Sequence, residues 1–230
     1  MKLQAALDFD YRSTIRGQTE ELTIFWTELA QALAGEARES LDIIEVGTPF
    51  VMEYGLAPVR KLKQAFPEKL ILADLKIADA GYYEAAAAFK SGADIATVLA
   101  VTDDATIRNA MTAAKEYGRS IMVDMLAVPD LPTRLMQVDA LGVDYICLHT
   151  SKDLQRLDQD MSKSFEVLRS YVKSAKLAIA GGINRTTIEK FAAICPDVII
   201  VGEGITGAAD YGEAAAFFKA AMDAVERGER

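Results

Sequence analysis

Residues 69–81 read Lys69-Leu70-Ile71-Leu72-Ala73-Asp74-Leu75-Lys76-Ile77-Ala78-Asp79-Ala80-Gly81, an apolar run that passes directly into two carboxylates and an ammonium. Short apolar runs of this kind, bounded by a glycine turn and followed by a segment of helical period, read as buried strands of a parallel sheet. Side chains alternate faces along a strand, so Asp74 and Lys76 are expected to point the same way, with Asp79 placed by the loop that follows. A D-x-K pair alone is ordinarily an exposed ion pair of little energetic weight. The rest of the chain decides whether this one is different.

Working outward from it, seven further β-branched or leucine-rich runs occur, giving strands at 3–8, 42–46, 70–74, 94–99, 120–124, 144–148, 177–180 and 197–201. Between them lie helical patterns at roughly 19–36, 54–65, 82–91, 103–117, 131–141, 162–175, 184–194 and 210–227. Asp103-Asp104 and Asn184 stand where helices start, and Gly118 and Gly142 stand just past helix ends. Eight strands alternating with eight helices, without a linker or a change of composition, predict one (β/α)8 TIM barrel spanning residues 1–230. The first unit is long, so Tyr11 to Glu20 are expected to form an extended loop near the active face.

The 230 residues, 51% of them hydrophobic, suffice for a large core, and a net charge of -9 argues against an electrostatic grip on nucleic acid or an anionic membrane. No apolar run reaches membrane-spanning length, and residues 3–8 follow without a basic and apolar leader, so a cytoplasmic protein is expected. Cys147 and Cys195 show no metal-ligand spacing and are expected as buried, reduced thiols.

In a parallel barrel the carboxyl ends of the strands converge, so residues distant in sequence share one site. Here those ends carry Asp8, Glu45 with Gly47-Thr48, Asp74 with Lys76, Thr97, Asp124, His149, Gly181-Gly182 and Gly202-Glu203-Gly204. Chance would not gather acids, a strand lysine and the single histidine of the chain at one relative position. The glycine loops after strands seven and eight offer backbone N–H groups, which in this fold often hold a phosphate. Glu45 and Asp74, on neighbouring strands, form a hard oxygen pair suited to Mg²⁺, although mutual repulsion relieved by Lys76 is the purely structural alternative. His149 is either a satisfied core histidine or, by its ordinary pKa near neutrality, a general base.

The motif Asp74-Leu75-Lys76-Ile77-Ala78-Asp79 has the form D-x-K-x-x-D on strand three, and in this the chain resembles the orotidine-monophosphate-decarboxylase superfamily. Within it the similarity is to the 3-hexulose-6-phosphate synthases, through LQAALD at 3–8, DIIEVGTPF at 42–50, ADLKIADAG at 73–81, TVLAVTDDATI at 97–107, VDM at 123–125, ALGVDYICLHT at 140–150, AIAGGI at 178–183 and VIIVGEGIT at 198–206. The resemblance implies a homodimer with active sites at the interface, Asp79 reaching into the partner's site, and Glu45 and Asp74 as Mg²⁺ ligands. It further implies Asp8, Lys76 and His149 as active-site groups, and Gly181, Gly182, Gly202 and Glu203 in the phosphate loops. The implied reaction is a Mg²⁺-dependent aldol condensation of formaldehyde with ribulose 5-phosphate through an enediolate, with Lys76 kept charged by Asp8 and Asp79. The rival within the superfamily is 3-keto-L-gulonate-6-phosphate decarboxylase: Lys152, three residues after the histidine, leans that way, while Asp124 and the LHT segment lean towards the synthase. A non-catalytic phosphosugar-binding barrel is a third reading, prompted by Glu203 at a position expected to hold glycine or a basic residue. The stretch Arg156 to Ser162 is also expanded relative to the family.

Overall fold

The computed structural model describes residues 1–8, 30, 32–155 and 162–228, so Tyr11 to Glu20 and residues 156–161 lie outside the described residues. Eight parallel strands, β1 (Lys2–Leu7), β2 (Ile43–Val46), β3 (Leu70–Ile77), β4 (Ile95–Leu99), β5 (Ser120–Asp124), β6 (Tyr145–His149), β7 (Lys176–Ala180) and β8 (Val198–Val201), pair in sequence order, and β8 closes on β1. The helices are α1 (described at 30 and 32–36), α2 (Thr48–Tyr54), α3 (Ala57–Ala65), α4 (Gly81–Lys90), α5 (Asp104–Tyr117), α6 (Leu131–Ala140), α7 (Lys152–Gln155), α8 (Ser162–Arg169), α9 (Ile188–Ala192), α10 (Glu203–Thr206) and α11 (Tyr211–Arg227). Among the described residues no helix is long and apolar enough to cross a membrane.

The expected helix at 54–65 is α3, which starts at Ala57, and a further helix, α2, precedes it. Each opens with a proline in its first turn, where the missing N–H costs nothing, and Gly55 at φ 61° turns the chain between them. The expected helix at 162–175 stops at Arg169, because the carboxylate of Asp139 draws the N–H groups of Lys173, Ser174 and Ala175 away from helical pairing.

Strand alternation divides the core in two. On β1, Leu3, Ala5 and Leu7 face the helices and join a large outer core with residues such as Phe50, Leu62, Ile107 and Phe218. The inner core is small, with Ile43, Leu72, Ile95, Met122, Tyr145, Cys147, Val198 and Ile200 filling the barrel around Ala6, Ala178 and Ala180. The cysteines part company here. Cys147 is buried in the inner core, whereas Cys195 is exposed, because the turn from α9 to β8 buries the neighbouring Ile194 and directs Cys195 outward at φ 55°.

Strand β3 departs from the regular pleat. Ala73 pairs with Ala96 and Ile77 with Val98, so Asp74, Leu75 and Lys76 face Thr97 alone, and Lys76 sits at φ 48°. Asp74 and Lys76 do meet, but through this bulge rather than through simple alternation.

At the opposite, amino-terminal end of the barrel, one aspartate precedes each even-numbered strand and accepts a backbone N–H from the preceding strand of the ring. Asp42 takes Leu3 N, Asp94 takes Ile71 N and Asp144 takes Ile121 N, each at 2.9 Å, and Asp197 takes Leu177 N at 2.8 Å. Asp94 also pairs with Lys63 at 2.8 Å and with Arg119. Each carboxylate satisfies a strand N–H that the staggered ladder leaves open, and losing it strands a partly buried donor. Replacing Asp144 by Ala should cost about 1–3 kcal/mol in urea unfolding, and Asp94→Ala at least as much, with specific activity of the folded fraction unchanged.

Candidate active site

Asp74 and Lys76 form an ion pair that the bulge aims into the carboxyl-terminal mouth. Both carboxylate oxygens of Asp74 are engaged. The Thr97 hydroxyl donates to Oδ1 at 2.7 Å, the Thr48 hydroxyl donates to Oδ2 at 2.6 Å, and the Lys76 ammonium donates both to Oδ2 and, at 2.9 Å, to Thr48. Burial would push the Asp74 carboxyl up, but Lys76 and the two threonines outweigh it and hold Asp74 below the usual carboxylate range. Burial likewise opposes the Lys76 charge, yet Asp74 first, then Asp124 and Glu45, raise it above the ordinary lysine value. Within the chain Asp74 is thus the direct partner that keeps Lys76 charged, a part for which the resemblance implies Asp8 and Asp79.

Glu45 is 6% exposed and accepts a 2.5 Å hydrogen bond from the Gln4 amide, which is itself fully buried. Burial, followed by the charges of Asp74 and Asp8, pushes the Glu45 carboxyl well above its ordinary value. Asp8 is raised by the same two causes, burial and then Asp74, and its Oδ1 is buried with no hydrogen-bond partner among the described residues. The Asp8 carboxylate lies against the backbone of Gly47, where any Cβ would fall 1.8 Å from Oδ1. Asp8, Glu45 and Asp74 therefore gather in one pocket beside the Lys76 ammonium, a cluster of hard oxygens.

That donor chemistry fits Mg²⁺, which takes one or two carboxylates and fills its shell with water and substrate oxygens. Among the described residues no three His, Cys, Asp or Glu side chains converge as an all-protein metal cage would need. Glu45 and Asp74 are the residues that would hold it.

Across the mouth, Asp124 is 4% exposed and its Oδ2 lies 2.8 Å from His149 Nδ1, while its Oδ1 accepts Leu126 N at 2.9 Å. The carboxylate fixes Nδ1 as the protonated nitrogen, leaving Nε2 as the basic one. His149 is the last residue of β6, one position further along the strand than expected, which carries it to the rim.

Asp8, Glu45, Asp74, Lys76, Asp124 and His149 line one cavity of about 920 Å³, together with Gly181, Gly182, Gly202, Glu203 and Lys152. Gly181 and Gly182 both lie at positive φ, 93° and 72°, a turn that side-chain-bearing residues adopt at a cost and that bares the backbone to a ligand. Lys152 and Glu203 are exposed at the cavity edge. Beside Glu203 a shallow extension of about 490 Å³ includes Arg185, whose guanidinium stacks 4.3 Å from the Phe217 ring and pairs with Glu213 at 2.5 Å. Asp79 is the predicted residue that stands apart: it is exposed, its Oδ1 accepts the N–H of Ala80 at 2.7 Å, and it does not line the cavity of its own chain. Gln4, Thr48 and Thr97 join the site without having been singled out as site residues. Thr97 and Gln4 carry a legible sign, a polar residue at an inward position of an otherwise apolar strand.

The whole of this arrangement lies within residues 1–218, which match the family model of the orotidine 5'-phosphate decarboxylase / HUMPS family. The chain belongs to the orotidine 5'-phosphate decarboxylase / HUMPS family. Among curated members it is 48% identical over 187 residues to a 3-hexulose-6-phosphate synthase of Bacillus subtilis, covering 81% of this chain and 89% of that one. The solved structure of 3-hexulose-6-phosphate synthase from Salmonella typhimurium superposes with a TM-score of 0.86 at 35% identity, covering all of both chains. A 3-keto-L-gulonate-6-phosphate decarboxylase from Vibrio cholerae superposes less well, with a TM-score of 0.78 at 25% identity over 96% of this chain and 97% of that one. Within the family the chain is an enzyme that groups with the synthases.

The inner-core thiol gives a direct check on the charge in the pocket. Burial, and then Asp124, Glu45 and Asp74, push Cys147 well above the ordinary thiol value, while Cys195 is exposed. A thiol reagent at pH 8 should label one cysteine of the native protein, Cys195, and reach the second only on unfolding, as read by peptide mapping.

Proposed function

We propose that the chain catalyses the reversible, Mg²⁺-dependent aldol condensation of formaldehyde with ribulose 5-phosphate to give hexulose 6-phosphate. The observation that carries this reading is that a histidine held in one tautomer by a buried carboxylate opens onto the same cavity as a lysine held charged by Asp74. Proton abstraction beside a carbonyl needs this pairing of a base with a fixed cation.

Glu45 and Asp74 would hold the Mg²⁺, which when bound would supply Lewis acidity to the ketose. His149 Nε2 takes a proton from carbon 1, and Lys76 stabilises the negative charge of the resulting enediolate. Carbon 1 of the enediolate then bonds to the formaldehyde carbon, and the new alkoxide takes its proton back from the imidazolium. The Gly181-Gly182 turn and the backbone after Gly202 receive the phosphate, with Glu203 exposed at the cavity edge and Arg185 in the adjoining extension.

The synthase reading is favoured over the decarboxylase by Asp124, whose short side chain reaches His149 and the Leu126 N–H together. Lys152 at the cavity edge is what a substrate carboxylate would need, and supports the decarboxylase as the second reading.

Asp79 supports a homodimer with shared sites. It stands outside its own cavity, lies three and four residues before the exposed Tyr82 (40%) and Tyr83 (78%), and neighbours Val101 (51%) through the bond from the Thr102 hydroxyl to the Ala78 carbonyl. These apolar side chains form a surface for a second copy, which would receive Asp79.

With Mg²⁺, the purified protein should consume formaldehyde in the presence of ribulose 5-phosphate and release no carbon dioxide from 3-keto-L-gulonate 6-phosphate; the reverse pattern selects the decarboxylase, and binding without turnover the non-catalytic barrel. Lys76→Ala and Asp74→Ala should each lower kcat by more than about a hundredfold, and His149→Asn should end exchange of the carbon 1 proton with solvent. Mixing inactive Lys76→Ala with inactive Asp79→Ala protein should restore part of the activity; no recovery in a mixture shown to exchange protomers would refute the shared site.

A further inference from the structure

We propose that the Thr97 hydroxyl is the positioning group that holds Lys76 in its left-handed backbone conformation, and so sets where the ammonium and the Asp74 carboxylate sit in the mouth. Three residues of β3 lie opposite Thr97, so the β3–β4 ladder has a gap at the point where the catalytic pair is built. The Thr97 hydroxyl fills that gap from a position 4% exposed: its oxygen accepts the Lys76 backbone N–H at 2.9 Å, and its proton goes to Asp74 Oδ1 at 2.7 Å. A hydroxyl can do both at once, as one donor with free lone pairs, whereas an isosteric methyl can do neither.

Lys76 at φ 48° is in a region that Cβ-bearing residues disfavour, and such conformations persist only where their surroundings over-determine them. The two constraints on Lys76 are distinct. Asp74 and Thr48 hold the ammonium, while Thr97 holds the backbone from which it projects. Without the Thr97 hydroxyl, a partly buried N–H and a carboxylate oxygen lose their partner together, and β3 gains by relaxing towards a regular ladder with β4. That relaxation would swing the Lys76 side chain off the face shared with Asp74. A threonine whose hydroxyl had no such role would instead tolerate valine, in which a methyl takes the place of the hydroxyl.

The consequence for turnover rests on the aldol reading above; the consequence for the backbone does not. The experiment compares Thr97→Val, which removes only the hydroxyl, with Thr97→Ser, which keeps it, and uses Thr97→Ala if the valine variant fails to fold. In the formaldehyde and ribulose 5-phosphate assay, Thr97→Val should lose more than about tenfold in kcat with the KM for ribulose 5-phosphate changed less than about threefold, because the phosphate loops are on other strands. Thr97→Ser should stay within about threefold of the parent kcat. In a crystal structure of the valine variant Lys76 should have left the left-handed region, and in the serine variant it should remain there. A valine variant that loses less than about tenfold, a serine variant as impaired as the valine one, or an unchanged Lys76 backbone in the valine variant would each overturn the proposal. If the parent protein is silent in the assay, the functional reading fails, and the two crystal structures still decide the role of Thr97.

Discussion

The ammonium of Lys76 is set against a pocket of carboxylates, and the rest of the site depends on that balance. Asp74 touches it directly, and Glu45, Asp8 and Asp124 lie close enough to act on the charges around it. Burying four acids around one base would be unfavourable in a barrel meant only to be stable, since each desolvated carboxylate needs a compensating charge or donor. Here Asp74 is fully compensated, Asp124 is held by a histidine and a backbone N–H, and Asp8 and Glu45 are left with burial outweighing their partners. The deficit is concentrated where a cation and an anionic intermediate would meet it.

The two ends of the barrel use the same residue type in opposite ways. At the amino-terminal end, Asp42, Asp94, Asp144 and Asp197 each take a strand N–H, and Asp94 adds two basic partners. At the carboxyl-terminal end the acids point into a cavity, and Asp8 Oδ1 has no partner among the described residues. The asymmetry follows from the parallel strands: at one end a carboxylate placed before an even strand finds an open N–H, while at the other the mouth offers side chains and solvent. Stability is built at one end, and reactivity is kept at the other.

Much of the site was legible because a parallel barrel turns strand-end position into spatial convergence. Asp8, Glu45, Asp74, Lys76, Asp124, His149 and the two glycine loops could be named from their place after apolar runs, and they line one cavity. What escaped were residues whose role depends on a partner far along the chain. Thr48 reaches Asp74 across 26 positions and Gln4 reaches Glu45 across 41, and although a glutamine facing inward from an apolar strand is a visible sign, neither position says which acid it will meet. Cys195 was misplaced for a related reason: the apolar composition of 191–195 suggests burial, but the turn leaves room inward only for its neighbour.

By itself the sequence determined the number and order of strands, the alternation that separates outer from inner core, and which ionisable groups stand at the mouth. These depend on hydrophobic period and on position within a repeat, both local properties of the chain. Only the tertiary structure decided that β3 breaks its pleat at Asp74 to Lys76, that Asp74 rather than Asp8 or Asp79 is the direct partner of Lys76, and that Asp124 fixes the histidine tautomer. Each of these is a contact between neighbouring strands, set by barrel register and by the competition of several acids for one base. No stretch of the chain encodes that alone.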